Sequence, residues 1–323
     1  MDEHRARIFM LGATGTIGRA VVAALVSRGH EVVCYLRPNA RADGLPEGVT
    51  LRRGIATDPG SLVRDGFCGE RFDVLVSCMA SRTGLPHDAW SIDHDAHMHA
   101  LSAAKSAGVG HMVLLSALCV QKPRLAFQKA KHAFEAHLIA SGLCYSIIRP
   151  TAFFKSLSGQ IARVRAGKPY LVFGDGCQTA CKPISDRDLA EYIADCLNDP
   201  SRWNRVLPIG GPGPAITPRA QGDWLFERLE RPARFRHVPL VMMDAIIGGL
   251  TAGGLVIPRL RAKAELGRIG RYYATESMLV IDPATGLYDA SATPETGQDR
   301  LFDHYEDVIS GRAFADLGDH AIF

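Results

Sequence analysis

A glycine-rich turn between two apolar runs constrains the fold of this 323-residue chain more than any other feature. The first run, residues 8–11, leads directly into Gly12-Ala-Thr-Gly-Thr-Ile-Gly18, and apolar residues then recur at helical spacing. A second run follows at residues 32–36. This order is that of a βαβ unit, whose glycines let a pyrophosphate approach the helix N-terminus. It predicts a dinucleotide site at Gly12, Thr14, Gly15, Thr16, Ile17 and Gly18.

The residue after the second run indicates which dinucleotide binds. An acidic residue there would bond to the ribose 2′-hydroxyl of NAD and repel a 2′-phosphate. The chain instead has Arg37, and a guanidinium group binds phosphate through two parallel hydrogen bonds. Arg37 therefore favours NADPH. For Arg41 and Arg53, which lie nearby in the sequence, a solvated surface position is a plausible alternative.

Apolar runs and helical patterns alternate through the first half of the chain. Four further runs predict strands, and the segments between them show helical periodicity, as in residues 93–107 and 123–141. Six strands alternating with helices predict an α/β fold with a Rossmann-type parallel sheet and right-handed crossovers. The four further predicted strands are residues 49–54, 72–77, 111–116 and 143–150.

Ligands of such sheets bind at the carboxyl ends of the strands. We therefore expect Cys78, Met79 and Ala80, which follow the fourth strand, and Pro150, which ends the sixth, to contact the cofactor. Asp58 is predicted to cap the helix after the third strand, and a contact with the adenine amino group is the alternative.

The regular alternation stops after residue 155, where segments become shorter and richer in Gly and Pro. We expect an NADP-binding domain at residues 1–155, completed by a returning helix around residues 183–200. Residues 156–323 should then form a smaller C-terminal substrate lobe, with one more helix at residues 219–231.

Bulk composition excludes several function classes. The 37 basic and 34 acidic residues give a net charge of +3, which predicts no nucleic-acid-binding surface. The eight cysteines lack two zinc-like pairs, so no metal site is predicted. The first five residues contain no apolar signal region, and we expect a cytoplasmic protein. Residues 238–258 are apolar but contain Asp244, and they predict a lid or an interface helix rather than a spanning one.

Two later residues resemble the catalytic pattern of short-chain dehydrogenases, which use Ser with Tyr and Lys spaced Y-x-x-x-K on one helix. Ser116 ends the fifth predicted strand, and the next helix carries Phe127-Gln-Lys-Ala-Lys131. We expect Ser116 and Lys131 to be catalytic, with Lys131 also holding the nicotinamide ribose. The alternative for Lys131 is a lysine extending from an amphipathic helix to solvent.

Phe127 stands where the tyrosine of that pattern would donate a proton to a carbonyl oxygen. Its lack of a hydroxyl disfavours simple carbonyl reduction. Hydride addition to a conjugated C=C bond does not need that phenol, because the charge delocalises and another acid supplies the proton. An NADPH-binding protein without turnover would also tolerate Phe127.

Several segments along the whole chain resemble the NADPH-dependent divinyl chlorophyllide 8-vinyl reductases, which are atypical short-chain dehydrogenases. They include residues 120–131, 145–156, 173–176, 180–185, 206–213 and 267–280, with Ala321-Ile-Phe323 at the end. The resemblance implies reduction of the C8 vinyl group of a divinyl (proto)chlorophyllide to ethyl, with NADPH and without flavin or iron–sulfur cofactors. A reductase of another conjugated alkene and a regulatory NADP(H)-binding protein are the other hypotheses.

The resemblance also implies a tetrapyrrole site. Phe127, Phe153 and Phe154 would wall the pigment, although core packing also explains the last two. Lys155 or Lys182 would pair with its propionate, or else be structural or surface charges. An axial histidine among residues 87–99 is a further alternative. The 238–258 segment would cover the pigment or, alternatively, touch a photosynthetic membrane peripherally. The oligomeric state is left open.

Overall fold

In the computed structural model of the protein, which describes residues 5–313, the predicted runs form one parallel sheet of seven strands. Its order is β3-β2-β1-β4-β5-β6-β8, and each adjacent pair is parallel. The strands of the described chain are β1 Arg7–Leu11, β2 Glu31–Leu36, β3 Thr50–Arg53, β4 Val74–Ser77, β5 His111–Leu115, β6 Cys144–Pro150, β7 Tyr170–Phe173, β8 Arg205–Ile209, β9 Phe235–Val238, β10 Val280–Ile281 and β11 Tyr288–Asp289.

Twelve α-helices are present between residues 5 and 313, several of them only one turn long. They are α1 Thr16–Ser27, α2 Pro59–Ser61, α3 Pro86–Ala89, α4 Ala96–Ser106, α5 Ala126–Ala140, α6 Phe154–Leu157, α7 Ile161–Arg165, α8 Asp186–Asp195, α9 Pro218–Arg228, α10 Leu240–Gly253, α11 Pro258–Tyr273 and α12 Leu301–Ser310. Two π-helical turns, Leu62–Phe67 and Trp90–Asp95, precede β4 and α4.

The described chain divides into two compact units. The first contains residues 5–81, Pro86–Pro150 and Asp186–Ile209, and it holds the whole parallel sheet. The second contains Arg82–Leu85, Thr151–Ser185 and residues 210–313. The terminal motif Ala321-Ile-Phe323 lies outside the described residues.

The Rossmann-type sheet is confirmed, but it contains one strand more than the six predicted. The seventh, β8, pairs only with β6, with Pro208 opposite Arg149. Proline lacks an N–H group and is found in edge strands, so it argued against a strand in the sequence pattern. Tertiary pairing overrides that local signal.

Aromatic side chains from β1 and from the segment between β3 and β4 lie in the core of the first unit. Phe9 of β1 stacks on Phe67 with ring centroids 4.1 Å apart, and Phe72 meets Phe9 edge-on at 5.3 Å. All three side chains are buried. This packing fixes β1 and the glycine turn that follows it.

The second unit has its own core and a helical hairpin. The core is built around the buried Tyr305, Phe154 and Leu225. In the hairpin, α10 packs against α11 through close approach at glycines: a Cβ at Gly267 would lie 2.9 Å from Ile247 Cγ1, and one at Gly253 would lie 2.7 Å from Leu260 Cδ1. Among residues 5–313 no helix has the length and apolarity needed to span a membrane.

Candidate dinucleotide and catalytic site

The glycine turn packs directly on the chain that follows β4. Gly12 has a φ of 78°, and a Cβ added there would lie 2.5 Å from Cys78 C and Met79 N. A Cβ on Gly18 would lie 2.0 Å from Gly12 O. Neither position accepts a side chain without moving backbone, so the sequence places glycines where two backbone segments and a helix meet.

This turn ends at the N-terminus of α1. Gly15 is extended, with a φ of −71° and a ψ of 164°, and its N–H donates to Gly12 O at 3.2 Å. The helix begins at Thr16, and its first turn carries no acidic side chain. The positive end of its dipole is therefore available to an anionic group. The turn fits the pyrophosphate of a dinucleotide.

The arginines after β2 and β3 have different roles. Arg37 is exposed directly after β2, where a 2′-phosphate would lie. Arg53 donates through Nη1 to Pro38 O at 2.9 Å and Ala40 O at 2.8 Å, so it stabilises the loop that carries Arg37. Arg53 is therefore more than a solvated surface charge, because it holds this loop in place. Arg41 pairs with Asp43, and both side chains are mostly exposed.

Asp58 caps α2, as predicted. Its carboxylate accepts a hydrogen bond from Gly60 N at 2.9 Å, and Pro59 follows as the first helical residue. Such a cap satisfies an otherwise unpaired backbone N–H. The additional contact with adenine stays a prediction.

A buried carboxylate holds the candidate catalytic lysine. Lys131 Nζ on α5 lies 3.0 Å from Asp93 Oδ1, and the side chains of Lys131 and Asp93 are 11% and 0% exposed. Ser81 donates to the same carboxylate through its N–H at 3.2 Å and its hydroxyl at 2.6 Å. A carboxylate without solvent is stable only when it is paired and hydrogen-bonded, so Lys131 is fixed in one position.

Ser116 belongs to a second buried network. Its hydroxyl donates to Glu135 of α5, and the guanidinium of Arg149 on β6 donates to the same carboxylate. Its N–H donates to Ile148 O at 2.7 Å. The Ser116 proton is therefore committed to Glu135 in this structure, while the oxygen can still accept a hydrogen bond.

A third chain of hydrogen bonds connects the loop after β4 to α4. Met79 N–H donates to Ser77 Oγ at 3.3 Å, and His97 Nε2 lies 2.8 Å from the same oxygen. His97 Nδ1 lies 2.8 Å from Ile92 O and must donate to it, so Nε2 accepts from Ser77. Burial, with the nearby Lys131 charge, lowers the pKa of His97 to about 4.

Of the histidines considered as axial ligands, His94 and His97 have other partners, whereas His99 Nδ1 is buried without a hydrogen-bond partner among residues 5–313. Both ring nitrogens of His97 are hydrogen-bonded, and His94 Nδ1 lies 2.7 Å from Asp95 Oδ1.

Burial raises the pKa of the Cys78 thiol to about 12, so this predicted cofactor contact is a neutral thiol near neutral pH.

The structure gives the remaining predicted site residues defined positions. Ala80 follows Met79 after β4, Pro150 ends β6, and Phe127 is half-buried one turn before Lys131 on α5. The other substrate candidates belong to the second unit. Phe153 is half-buried and forms a bridge with Ile184.

Core packing and ion pairing explain two of those candidates. Phe154 is buried, and its ring lies 5.6 Å from that of His304. Lys182 is buried, with Nζ 2.5 Å from Glu295 Oε1 and 3.3 Å from Thr293 O. Lys155 is half-buried at the start of α6. Their roles toward a pigment stay predictions.

Sequence reasoning missed the acidic partners in these networks. Asp93 appeared only as the start of a predicted helix, and Glu135 was not singled out. One signal was present: Gln128, Lys131 and Glu135 are spaced i, i+3, i+7, so they lie on one face of α5. Arg149, a charge within an apolar strand, was a second signal.

Comparisons with known proteins indicate the family to which this chain belongs. The NAD(P)H-binding family model matches residues 12–200. The chain is 48% identical to the chloroplastic divinyl chlorophyllide a 8-vinyl-reductase of Oryza sativa subsp. indica, over 98% of this chain and 82% of that protein. The Arabidopsis thaliana protein of the same name is 45% identical, over 97% and 79% respectively.

The chain belongs to the divinyl chlorophyllide a 8-vinyl-reductase family. It is thus an NADPH-dependent oxidoreductase of the atypical short-chain dehydrogenase type. Its fold also resembles that of the Escherichia coli quinone oxidoreductase QOR2 complexed with NADPH. That match has a TM-score of 0.69 and 19% identity, and it covers 94% of this chain and 99% of that one.

Proposed function

We propose that this chain reduces the 8-vinyl group of divinyl chlorophyllide a to an ethyl group with NADPH. The observation that carries the proposal is the combination of a fixed Lys131 with Phe127, which offers no phenolic proton, one turn away on α5. A site of this kind suits a conjugated C=C bond better than a ketone. The relatives that match over nearly the whole of this chain carry the same activity in their names.

The first unit supplies the cofactor site. Gly12, Gly15 and Gly18 shape the turn on which the pyrophosphate would lie, and Arg37 would bind the 2′-phosphate. When bound, NADPH supplies the hydride for the vinyl group, and one proton completes the ethyl group. The residues of this chain bind and orient the reactants, which is a proximity effect.

Lys131 would hold the nicotinamide ribose, and Asp93 acts as its positioning residue. The carboxylate has no exposed surface, so loss of its charge would leave the ammonium group without its partner. Ser116 would accept a hydrogen bond rather than donate one, because its proton is bonded to Glu135.

Phe127 of the first unit and Phe153 of the second are both half-buried, and each stays a candidate for contact with the pigment. Lys155 and Lys182 both stay candidates for the propionate, and Lys182 would first have to leave Glu295. We also propose that the enzyme meets its apolar pigment as a peripheral protein at a membrane surface.

Turnover of divinyl chlorophyllide a with NADPH tests the function, with products separated by chromatography. Lys131→Ala should lower kcat/KM by about a hundredfold, because ribose positioning is lost. Lys129→Ala is the matched control, since this lysine is exposed on the same helix and should leave turnover unchanged. No pigment turnover by a folded, NADPH-binding protein would refute the reductase proposal and favour a regulatory binding protein.

Asp93→Asn separates positioning from folding. The amide keeps the shape and an oxygen that accepts from Ser81 N–H, while its NH2 group can only donate to the Ser81 hydroxyl. It removes the charge that pairs with Lys131. We expect the pigment kcat to fall about tenfold or more and the pH profile of turnover to shift, while the Tm changes little. A large loss of Tm with an unchanged pH profile would assign Asp93 a purely structural role.

A further inference from the structure

The hairpin formed by α10 and α11 exposes a large apolar surface. No residue of α10 is buried, although the helix contains Leu, Val, Met and Ile. Met243 and Ile247 contact α11. On the remaining surface Val241 is 78% exposed and Ile246 is 54% exposed.

The turn between the two helices is the most exposed part. Leu255, Val256 and Ile257 are consecutive, and they are 78%, 84% and 52% exposed. Single exposed apolar residues are ordinary, whereas three in succession at the end of a hairpin form a projecting apolar tip. The turn itself is well defined, because Arg261 Nε donates to Gly254 O at 2.8 Å.

Basic residues follow this tip directly. Arg259 and Lys263 are exposed one turn apart on α11, and among residues 5–313 neither has a carboxylate partner. Residues 240–273 contain five basic and two acidic side chains, an excess equal to the net +3 of the whole chain. The positive charge of the protein is thus concentrated beside its most exposed apolar surface.

This combination identifies the partner by its chemistry. An apolar tip next to unpaired cations matches the boundary of an anionic lipid bilayer, where acyl chains lie below negatively charged headgroups. At 14 residues, α10 is about 21 Å long, shorter than the hydrocarbon core of a bilayer, so the hairpin can enter one leaflet only.

We propose that the α10–α11 hairpin is a peripheral membrane anchor, in which Leu255, Val256 and Ile257 enter the acyl region and Arg259 and Lys263 bind anionic headgroups. This inference deepens the peripheral contact proposed above, but it does not depend on pigment reduction. Vesicle binding and turnover therefore test it and the reductase function separately.

The experiment is co-sedimentation of the full chain with phosphatidylcholine vesicles, with and without phosphatidylglycerol. We expect binding only to the anionic vesicles, and weaker binding at high salt. Val256→Asp should weaken it about tenfold or more, because a charge replaces an inserted apolar group. Leu287→Asp is the matched control, since Leu287 is also 69% exposed but lies outside the hairpin.

The charges are tested by the double variant Arg259→Gln/Lys263→Gln. It should bind anionic vesicles about twentyfold more weakly, since each cation contributes separately near an anionic surface. The pair Lys129→Gln/Arg205→Gln, both exposed in the first unit, removes the same charge and should bind as the unaltered chain does.

NADPH binding and Tm should be unchanged in all these variants, because every substituted side chain is exposed. Equal pelleting of Val256→Asp and the unaltered chain would overturn the proposal. Absence of vesicle binding, together with a dimer that Val256→Asp converts to a monomer, would overturn it in favour of a second copy of the chain. Absence of vesicle binding, with loss of detergent-assayed turnover in Val256→Asp, would identify the tip as a pigment cover instead.

Discussion

Helices α1 and α10 have similar lengths and opposite environments. Six of the 12 residues of α1 are buried, and Gly18 lets its first turn approach Gly12 O more closely than any side chain would permit. None of the 14 residues of α10 is buried, and Gly248 and Gly249 have nothing within 4 Å of an added Cβ. The same residue type therefore serves close packing at Gly18, whereas Gly248 and Gly249 have no packing role.

The difference shows that apolar composition does not by itself predict burial. In α1 the apolar residues lie on the face that packs against the sheet and α8, so hydrophobic burial stabilises the cofactor turn. In α10 the apolar residues extend around the helix, beyond the stripe that α11 covers. The excess is available to a partner outside the chain.

The largest expected effect is that of Gly18→Ala in α1. The new Cβ would lie 2.0 Å from Gly12 O, so the turn must move. We expect a loss of more than about 3 kcal/mol in the free energy of unfolding and no measurable NADPH binding. Denaturant titration and fluorescence titration check these outcomes.

Gly15→Ala is the control for that substitution. Its Cβ would lie 3.5 Å from the same oxygen, an ordinary contact, and its backbone is extended. Stability should change by less than about 1 kcal/mol, although cofactor affinity can fall. Equal stability of the Gly18→Ala and Gly15→Ala proteins would contradict the close packing described for α1.

Acid should destabilise the buried region rather than the hairpin, which contains no histidine. The pKa of His97 is lowered to about 4 from its ordinary 6.5. Between these values the unfolded chain binds a proton that the folded chain excludes. Stability therefore falls as the pH drops from 6.5 to 4, by about 2–3 kcal/mol for this group, and is unaffected by it above 6.5.

Urea unfolding of His97→Gln at several pH values measures this contribution. The variant should lose that part of the pH dependence, whereas His132→Gln, an exposed substitution on α5, should keep the original slope. An unchanged slope in His97→Gln would show that His97 is not excluded from protonation in the folded state.

A smaller effect is expected at Arg37, which is exposed next to the rigid turn of α1. Arg37→Glu should weaken NADPH binding about tenfold to fiftyfold, because a carboxylate repels the 2′-phosphate. The preference of the protein for NADPH over NADH should fall as well. Arg41→Glu makes the same charge reversal at a more distant position and should change the Kd by only about twofold. Equal effects of the two reversals would remove Arg37 from the cofactor site.

The smallest effect is Gly248→Ala in α10. Alanine fits the open helical position and has a higher helix propensity than glycine, so the unfolding free energy should rise by about 0.5–1 kcal/mol. The same Gly→Ala change is thus expected to destabilise the protein at Gly18 and to stabilise it at Gly248. A loss of stability, seen as a lower Tm, would mean that the surface of α10 is already covered by another copy of the chain.

Most elements of the first unit were predictable because their signals are local. The helix predicted at residues 123–141 is α5, Ala126–Ala140, and the run at residues 143–150 is β6, Cys144–Pro150. The helix predicted at residues 93–107 begins instead with a π-helical turn at Trp90–Asp95. That turn contains Asp93, which the periodicity of a regular α-helix did not single out.

The sequence by itself determined the alternation of strands and helices, the glycine turn, Arg37 after β2, and the spacing of Phe127 and Lys131. Each of these depends on residues close together in the chain. Only the tertiary structure decided that Asp93 pairs with Lys131, that β8 joins the sheet and that the tip of α10 and α11 stays exposed. Periodicity places residues on one face of an element, but which faces meet depends on packing between distant segments.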